Sequence, residues 1–200
     1  EPQSTTITAL ASESDDLSIL VSALQAAGLD STLDSEGSFT VFAPTNAAFE
    51  NFLADNNFSG LADIPVDVLT QVLLNHVIAG EAFSTSLTTS YGSTLATKDG
   101  SGENLSIYID TSNGVTLNGV SNVSVADVDA SNGVIHIVDA VIGLPNIVNH
   151  AVANPNLTSL VGALTADGNT TFTGLLSTPG DFTVFAPTND AFASFSTTND

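Results

Sequence analysis

Three histidines, His76, His136 and His150, are the side chains in this sequence best suited to acid–base or metal chemistry. Cysteine is absent, which excludes thiolate nucleophiles and thiolate metal ligands. A catalytic histidine needs a partner beside it, yet Asp139 follows His136 by three positions in a predicted strand, where the two side chains lie on opposite faces. No Gly-x-Ser-x-Gly or His-Glu-x-x-His motif occurs. The sequence therefore predicts neither an enzyme nor a zinc site.

A run of oxygen-bearing side chains at residues 127–133 (Asp-Val-Asp-Ala-Ser-Asn-Gly) resembles the start of a calcium-binding loop. In a helix–loop–helix site the glycine comes one place earlier, and a glutamate stands where this chain has Val138. The alternating residues on both sides predict a hairpin instead. We expect no cofactor and no dedicated metal site, only weak, non-specific binding of Ca²⁺ or other cations by acidic side chains.

The chain is strongly acidic, with 22 Asp and Glu residues against a single basic residue, Lys98, and a net charge of -21. Of these acids, 18 lie in residues 1–145, so the charge is not confined to a tail. Such a surface repels nucleic acid and anionic lipid, which bind through Lys and Arg. The apolar runs are too short to span a bilayer, so we expect no membrane insertion. Hydrophobic residues make up 42% of the chain, enough to fill a core.

Helical periodicity comes first along the chain. Residues 12–29 predict a helix with Ser12 or Ser14 as N-cap and Gly28 as its end. Residues 38–43 then predict a buried strand.

Pro44 ends this strand, and Thr45 or Asn46 caps a short helix that carries Phe49. A third helix is predicted from Pro65 to Gly80. Its apolar stripe consists of Leu69, Val72, Leu73 and His76.

The period then changes from helix to strand. Residues 105–109 and 115–117 alternate around Ser-Asn-Gly, and residues 122–129 and 133–142 alternate around Ala-Ser-Asn-Gly. Both pairs predict hairpins, and Pro145 closes the unit. Helices followed by strands predict an α+β fold.

The chain repeats itself. Residues 39–49 return almost unchanged as residues 182–192, and residues 17–24 return as residues 157–164. We interpret this as a domain duplication, with a complete domain at residues 1–145 and the N-terminal part of a second at residues 146–200. The second copy is predicted to contain the first helix, the first strand and the start of the next helix. Three explanations stay open: a fragment of a tandem array, a piece packed on the first domain, or a piece completed by another molecule.

Three ordered motifs resemble those of fasciclin domains. Residues 39–49 resemble the first signature motif of the family. Residues 74–77, together with Gly80, resemble its central motif. Residues 132–139, together with the following Leu144-Pro145, resemble its second signature motif. The resemblance implies a fasciclin-type β-wedge or sandwich flanked by helices, in tandem. The residues that it marks as structural are Phe39, Pro44, Thr45, Asn46, Phe49, His76, Gly133, His136, Asp139 and Pro145.

In animal members of the family, a Tyr-His pair at the central motif is associated with adhesion. Here Asn75 stands in place of the tyrosine, which leaves Asn75 and His76 as weak adhesion candidates. We expect His76 and His136 to be core histidines bonded within the fold, and His150 to lie in the interdomain connection.

The resemblance implies a secreted, extracellular or cell-surface protein that acts without catalysis in cell adhesion, matrix contact or biofilm. Its partners would be a cell-surface or matrix protein or polysaccharide, with self-association through tandem domains. The alternative is a structural subunit of a filament or fibre, completed by neighbouring domains or chains. An enzyme or small-molecule binder acting on glycans ranks last, because it needs a deep pocket with clustered carboxylates.

Overall fold

The computed structural model describes residues 5–35, 37–98, 102–168, 170–178 and 180–198. The chain divides into two compact units, Glu1–Leu144 and Pro145–Asp200. This division lies within one residue of the boundary predicted from the repeat.

The first unit combines α-helices with a sheet whose first strand lies within the helical part of the chain. Its helices are α1 (Ile7–Glu13), α2 (Ser18–Ala27), α3 (Asp30–Leu33), α4 (Asn46–Asp55) and α5 (Val66–Leu74). Its strands are β1 (Phe39–Pro44), β2 (Val77–Ala79), β3 (Ser90–Thr97), β4 (Asn104–Asp110), β5 (Thr116–Leu117), β6 (Ser121–Ala130) and β7 (Gly133–Val138).

The seven strands close into a barrel in chain order. Every neighbouring pair is antiparallel except β1 with β7, which run parallel and close the sheet. The α+β class is confirmed, and the expected β-wedge flanked by helices takes the form of this barrel. Both predicted hairpins are present, as β4–β5 and β6–β7.

Two apolar clusters fill the unit. One lies inside the barrel and contains Phe42, Ile107, Leu117 and Val138. The larger one joins the helices to the sheet, with buried side chains from α1, α2, α4, α5, β1 and β7. Strand β1 therefore supplies both clusters, because successive side chains of a strand point to opposite faces.

Gly133 lies where the parallel pair β1–β7 begins, opposite Phe39. Its φ of 149° is one that only glycine adopts without strain, and a Cβ atom added there would overlap the Phe39 carbonyl oxygen. The close approach of the two backbones thus explains the glycine of the Asn-Gly turn.

The helix predicted over residues 12–29 is wrong at its start. The chain forms α1, a 3₁₀ turn at Asp15–Leu17 and then α2. Ser12 lies inside α1 and donates to the Thr8 carbonyl, and Ser14 makes no side-chain cap. Gly28 does end α2, in the left-handed conformation.

Two strands were missed around the third helix. Helix α5 ends at Leu74 rather than at Gly80, because β2 follows at once and pairs with β1. Strand β3 had no prediction, since its Ser and Thr residues give a weak apolar pattern. The last strand, predicted to reach residue 142, ends at Val138.

The second unit contains α6 (Ile147–Ala153), α7 (Thr158–Leu164), α8 (Thr171–Leu176) and α9 (Asn189–Thr198). None of its described side chains is fully buried. The strand predicted at the copy of β1 is wrong, because residues 182–187 form no strand. In the first unit this sequence pairs with β2 and β7, whereas the described residues of 145–200 form no strand. In the described part of the chain, no helix has the length and apolarity needed to cross a bilayer.

We predict that Gly133→Ala destabilises the first unit by about 2 kcal/mol or more, because a side chain there forces β1 and β7 apart. Urea unfolding would measure the loss. Gly60→Ala is the matched control, since Gly60 has an extended φ of 179° and a Cβ atom added to it would have no neighbour within 4 Å. Equal stability of the two variants would contradict the role assigned to Gly133.

Candidate functional site

His76, the first of the two adhesion candidates, is buried immediately after α5. Its Nδ1–H donates to the Val72 carbonyl oxygen at 2.7 Å, and its Nε2 accepts from the Ile142 amide at 2.8 Å. Both ring nitrogens are therefore occupied inside the fold. Burial lowers the pKa of His76 from 6.5 to about 4, so the ring is neutral at physiological pH.

Asn75, the other candidate, is also buried. Its Nδ2 donates to the Gly143 carbonyl at 3.1 Å, and its Oδ1 accepts from the Thr94 hydroxyl at 3.2 Å. These bonds tie the end of α5 to β3 and to the segment after β7. The burial of Asn75 and His76 favours a structural role over direct contact with a partner, because neither side chain reaches the surface of the folded unit.

His136 is buried in β7, as a core histidine of the barrel. Its Nε2–H donates to the Ala82 carbonyl at 2.9 Å, and its Nδ1 accepts from the Asp127 amide at 3.2 Å. The ring also stacks on Phe42, with centroids 5.6 Å apart. In this arrangement Nε2 is the donor of the ring and Nδ1 is the acceptor.

A serine, an aspartate and this histidine come together at the same place. The Asp127 carboxylate lies 3.9 Å from His136 Nδ1 and accepts from the Ser84 hydroxyl at 2.5 Å and the Ser84 amide at 2.6 Å. The Ser84 hydrogen bonds lower the pKa of Asp127. The hydroxyl faces the carboxylate rather than the imidazole, so the histidine cannot take its proton. The group joins β6 and β7 to the loop before β3.

The Asp127 contact was not foreseen from the sequence. Strand β6 bulges between Val125 and Val128, and Asp127 adopts a left-handed φ of 62° at that bulge. A bulge shifts the register by one residue, and the alternation pattern carries no sign of it. Asp139, by contrast, lies just after β7 and accepts from the Asn122 amide at 2.7 Å.

The repeated Thr-Asn pair acts in both copies as a cap and a bridge. Thr45 caps α4 by accepting from the Ala48 amide, and Asn46 accepts from the Ile19 amide at 2.9 Å. In the second unit Thr188 accepts from the Ala191 amide, and Asn189 accepts from the Ser159 amide at 2.9 Å. The asparagine thus connects two helices in each unit, a tertiary role that the sequence did not reveal.

The remaining motif residues also serve the fold. Phe49 is buried in the larger cluster, Phe39 packs against that cluster, and Pro44 is the last residue of β1. Pro145 begins the second unit. The placement of His150 was wrong: it lies within α6 of the second unit rather than in a connection, and burial lowers its pKa.

Among the described residues, no three His, Cys, Asp or Glu side chains come together to hold a metal ion. A cavity of about 260 Å³ opens between α1, α2 and α3, with Asp30 and Asp34 at its edge. Asp34 already accepts from the Thr8 hydroxyl, and Ser12 donates to the Thr8 carbonyl. Because Thr8, Ser12 and Asp34 are bonded to one another in its wall, the cavity is better described as a surface cleft than as a catalytic pocket.

A tyrosine pair lies on the outer face of the β3–β4 hairpin. Tyr91 and Tyr108 are directly opposite each other in the register, with ring centroids 4.9 Å apart. Tyr91 is 47% exposed, whereas Tyr108 is buried. Burial, followed by the charge of Asp110, raises the pKa of Tyr108. The pair was missed because β3 was missed, although these are the only two tyrosines of the chain.

The lowered pKa of His76 predicts acid sensitivity. Below pH 6.5 the unfolded chain binds a proton at His76, whereas the folded chain does not bind it until about pH 4. The free energy of unfolding therefore decreases as the pH is lowered through this window. Between pH 7 and pH 5, His76 accounts for a decrease of about 2 kcal/mol. Urea unfolding of the first unit in His76→Gln should show a correspondingly flatter dependence than in the parent chain, and His150→Gln, in the second unit, serves as control. A His76→Gln variant that loses as much stability as the parent over this range would refute the prediction.

Comparisons with known proteins agree with the fold described above. The fasciclin domain family model matches residues 15–145 and 155–200. "Protein sll1483" of Synechocystis is 39% identical over 133 residues, which cover 66% of this chain and 70% of that protein. The pig transforming growth factor-beta-induced protein ig-h3 is 36% identical over 121 residues, 60% of this chain but only 16% of its own length.

Among solved structures, a FAS1 domain pair from the insect cell adhesion molecule fasciclin I matches with a TM-score of 0.57. The match covers 93% of this chain and 64% of that one, at 20% sequence identity, so it supports the fold alone. The two family-model matches together span most of the chain. The chain belongs to the fasciclin domain family.

Proposed function

We propose that this chain is an extracellular, non-catalytic adhesion module that contacts a cell-surface or matrix protein or polysaccharide. Family membership supports this proposal, because fasciclin domains also occur in ig-h3 and in the insect cell adhesion molecule fasciclin I. The observation that carries the proposal is that both histidines of the first unit are buried and bonded on both ring nitrogens. The two imidazoles of the first unit are thus used to hold the fold, and the proposed action of the surface is by contact.

The tyrosine pair is the strongest contact candidate on the first unit. Tyrosine is enriched in binding hot spots because its ring buries a large area while its hydroxyl forms hydrogen bonds. Tyr91 is held against Tyr108, so it loses little freedom when a partner covers it. With a net charge of -21, the chain will disfavour strongly anionic partners.

Adhesion can be tested with beads that carry the immobilised protein, offered to cells and to neutral or cationic polysaccharides at physiological salt. We expect binding above uncoated beads and a clear reduction for Tyr91→Ala, with unchanged unfolding. Val66→Ala is the matched control, because Val66 is an exposed apolar side chain, 59% accessible, on α5. Absence of binding in every case would reject the function, and an equal loss in both variants would reject the tyrosine pair as its site.

A structural subunit completed by neighbouring chains is the second candidate. The repeated sequence Phe-Thr-Val-Phe-Ala-Pro favours it, because Phe42 is fully buried in β1 whereas the equivalent Phe185 is 92% exposed. An extended apolar segment of this kind can accept a strand from another molecule.

A synthetic peptide with the sequence of residues 132–142 tests this candidate. We expect it to slow amide hydrogen exchange at residues 182–187 and to leave residues 39–44 unchanged, since those are already paired. The control peptide carries Asp in place of Val134 and Val138, the two fully buried valines of β7. Absent protection, or equal protection by both peptides, would exclude completion by a strand of this type.

A further inference from the structure

The sequence contains three Asn-Gly steps, at Asn113, Asn118 and Asn132. In such a step the glycine amide nitrogen can attack the carbonyl carbon of the asparagine carboxamide, because glycine has no Cβ to hinder the approach. A new bond forms between these two atoms, and the bond from the carboxamide carbon to Nδ2 breaks. The proton lost from the glycine amide ends on the departing nitrogen, which leaves as ammonia, and a succinimide ring remains. Water then opens the ring to aspartate or isoaspartate. The reaction needs a side chain that is free to rotate onto the backbone.

Asn132 is held too tightly for this attack. It is 8% exposed, its Oδ1 accepts from the Ile7 amide at 2.9 Å, and its Nδ2 donates to the Leu33 carbonyl at 2.5 Å. Cyclisation would break both bonds, which connect the β6–β7 turn to α1 and α3. Gly133 is itself fixed between β7 and β1.

Asn118 is also held in place. It is 6% exposed, and its side-chain Oδ1 accepts from the Tyr108 backbone amide at 2.7 Å. The backbone amide of Asn118 donates to the Tyr108 carbonyl at 2.8 Å. These two bonds extend the β4–β5 ladder by one residue. Attack by the next amide would require the side chain to leave the edge of the sheet.

Asn113 differs from both. It is exposed at the tip of the β4–β5 turn, and no hydrogen bond joins its side chain to any residue in the described part of the protein. Gly114 follows in the left-handed conformation, with φ of 79°. Asp110 holds the base of the turn by accepting from the Ser112 amide at 2.9 Å. The turn is therefore fixed at its base, while the Asn113 side chain at its tip is free to reach the next amide.

We propose that Asn113 is a site of spontaneous deamidation, and that the fold protects Asn118 and Asn132 from the same reaction. Each event consumes one water, releases one ammonia and leaves an additional carboxylate near Asp110, in a protein that already has a net charge of -21. The isoaspartate product also lengthens the backbone at the tip of the turn. This inference does not depend on the proposed adhesive function.

The test is incubation of the whole protein at pH 8, where amide nitrogen attack is favoured, followed by peptide mapping for the amide-to-acid mass gain. Chymotrypsin is suitable, because cleavage after Tyr108 and Leu117 isolates Asn113 from the other two sites. Trypsin is less suitable, because Lys98 is its single cleavage site in the chain. A second sample is incubated in denaturant until its Asn-Gly steps have reacted measurably. Asn113→Gln is the control variant, since an exposed glutamine preserves polarity but cyclises far more slowly.

We expect conversion at Asn113 in the folded protein to approach its rate in the denatured protein. At Asn118 and Asn132, conversion in the folded protein should be at least about tenfold slower than in the denatured protein, because local opening of the fold must come first. The peptide of residues 109–117 should gain no acid product in the Asn113→Gln variant. Comparable folded-state rates at all three sites, or protection of Asn113 to the same degree as the other two, would overturn the proposal.

Discussion

Strand β1 is paired on both of its edges, and much of the first unit is arranged around these two pairings. Strand β2 follows α5 closely enough to cover one edge, and β7 returns in parallel from the far end of the domain to cover the other. The parallel pairing needs a close backbone approach at its first residue, which is why Gly133 stands there. The second unit carries the same hexapeptide, but its described residues form no strand to pair with it, and there the hexapeptide is irregular and exposed. Identical local sequence thus takes two structures according to the partners available.

Closing a barrel around β1 leaves polar backbone groups that have no place in a strand ladder. Histidine and asparagine side chains satisfy several of them: His76 connects Val72 with Ile142, His136 connects Ala82 with Asp127, and Asn75 reaches Gly143. An unpaired group in the interior is costly, so side chains that bond two segments at once stabilise the closure. Imidazole and carboxamide groups, which in other proteins serve reactive sites, are here used to hold the fold.

Elements marked by a clear apolar pattern, a turn motif or a capping residue were predictable from the sequence. Buried strand β1, both hairpins and the helix after Thr45 follow from apolar runs, Asn-Gly turns and a capping residue. The position of β3 was not predictable, because its Ser, Thr and Gly residues resemble those of a loop. The bulge that brings Asp127 to His136 was also hidden, since register depends on pairing between strands rather than on either strand alone. The same holds for Asn46, whose bonds reach a helix nearly thirty residues earlier.

The chain has no tryptophan and only two tyrosines, and both belong to the tyrosine pair. Its intrinsic fluorescence therefore originates in the β3–β4 hairpin, with phenylalanine as the only other aromatic fluorophore. An emission change during unfolding reports on that side of the barrel, whereas circular dichroism at helical wavelengths also reads the helices of both units. Separation of the two signals would show that some helices unfold in a different step from the barrel. The molecule thus carries its own spectroscopic label for one hairpin.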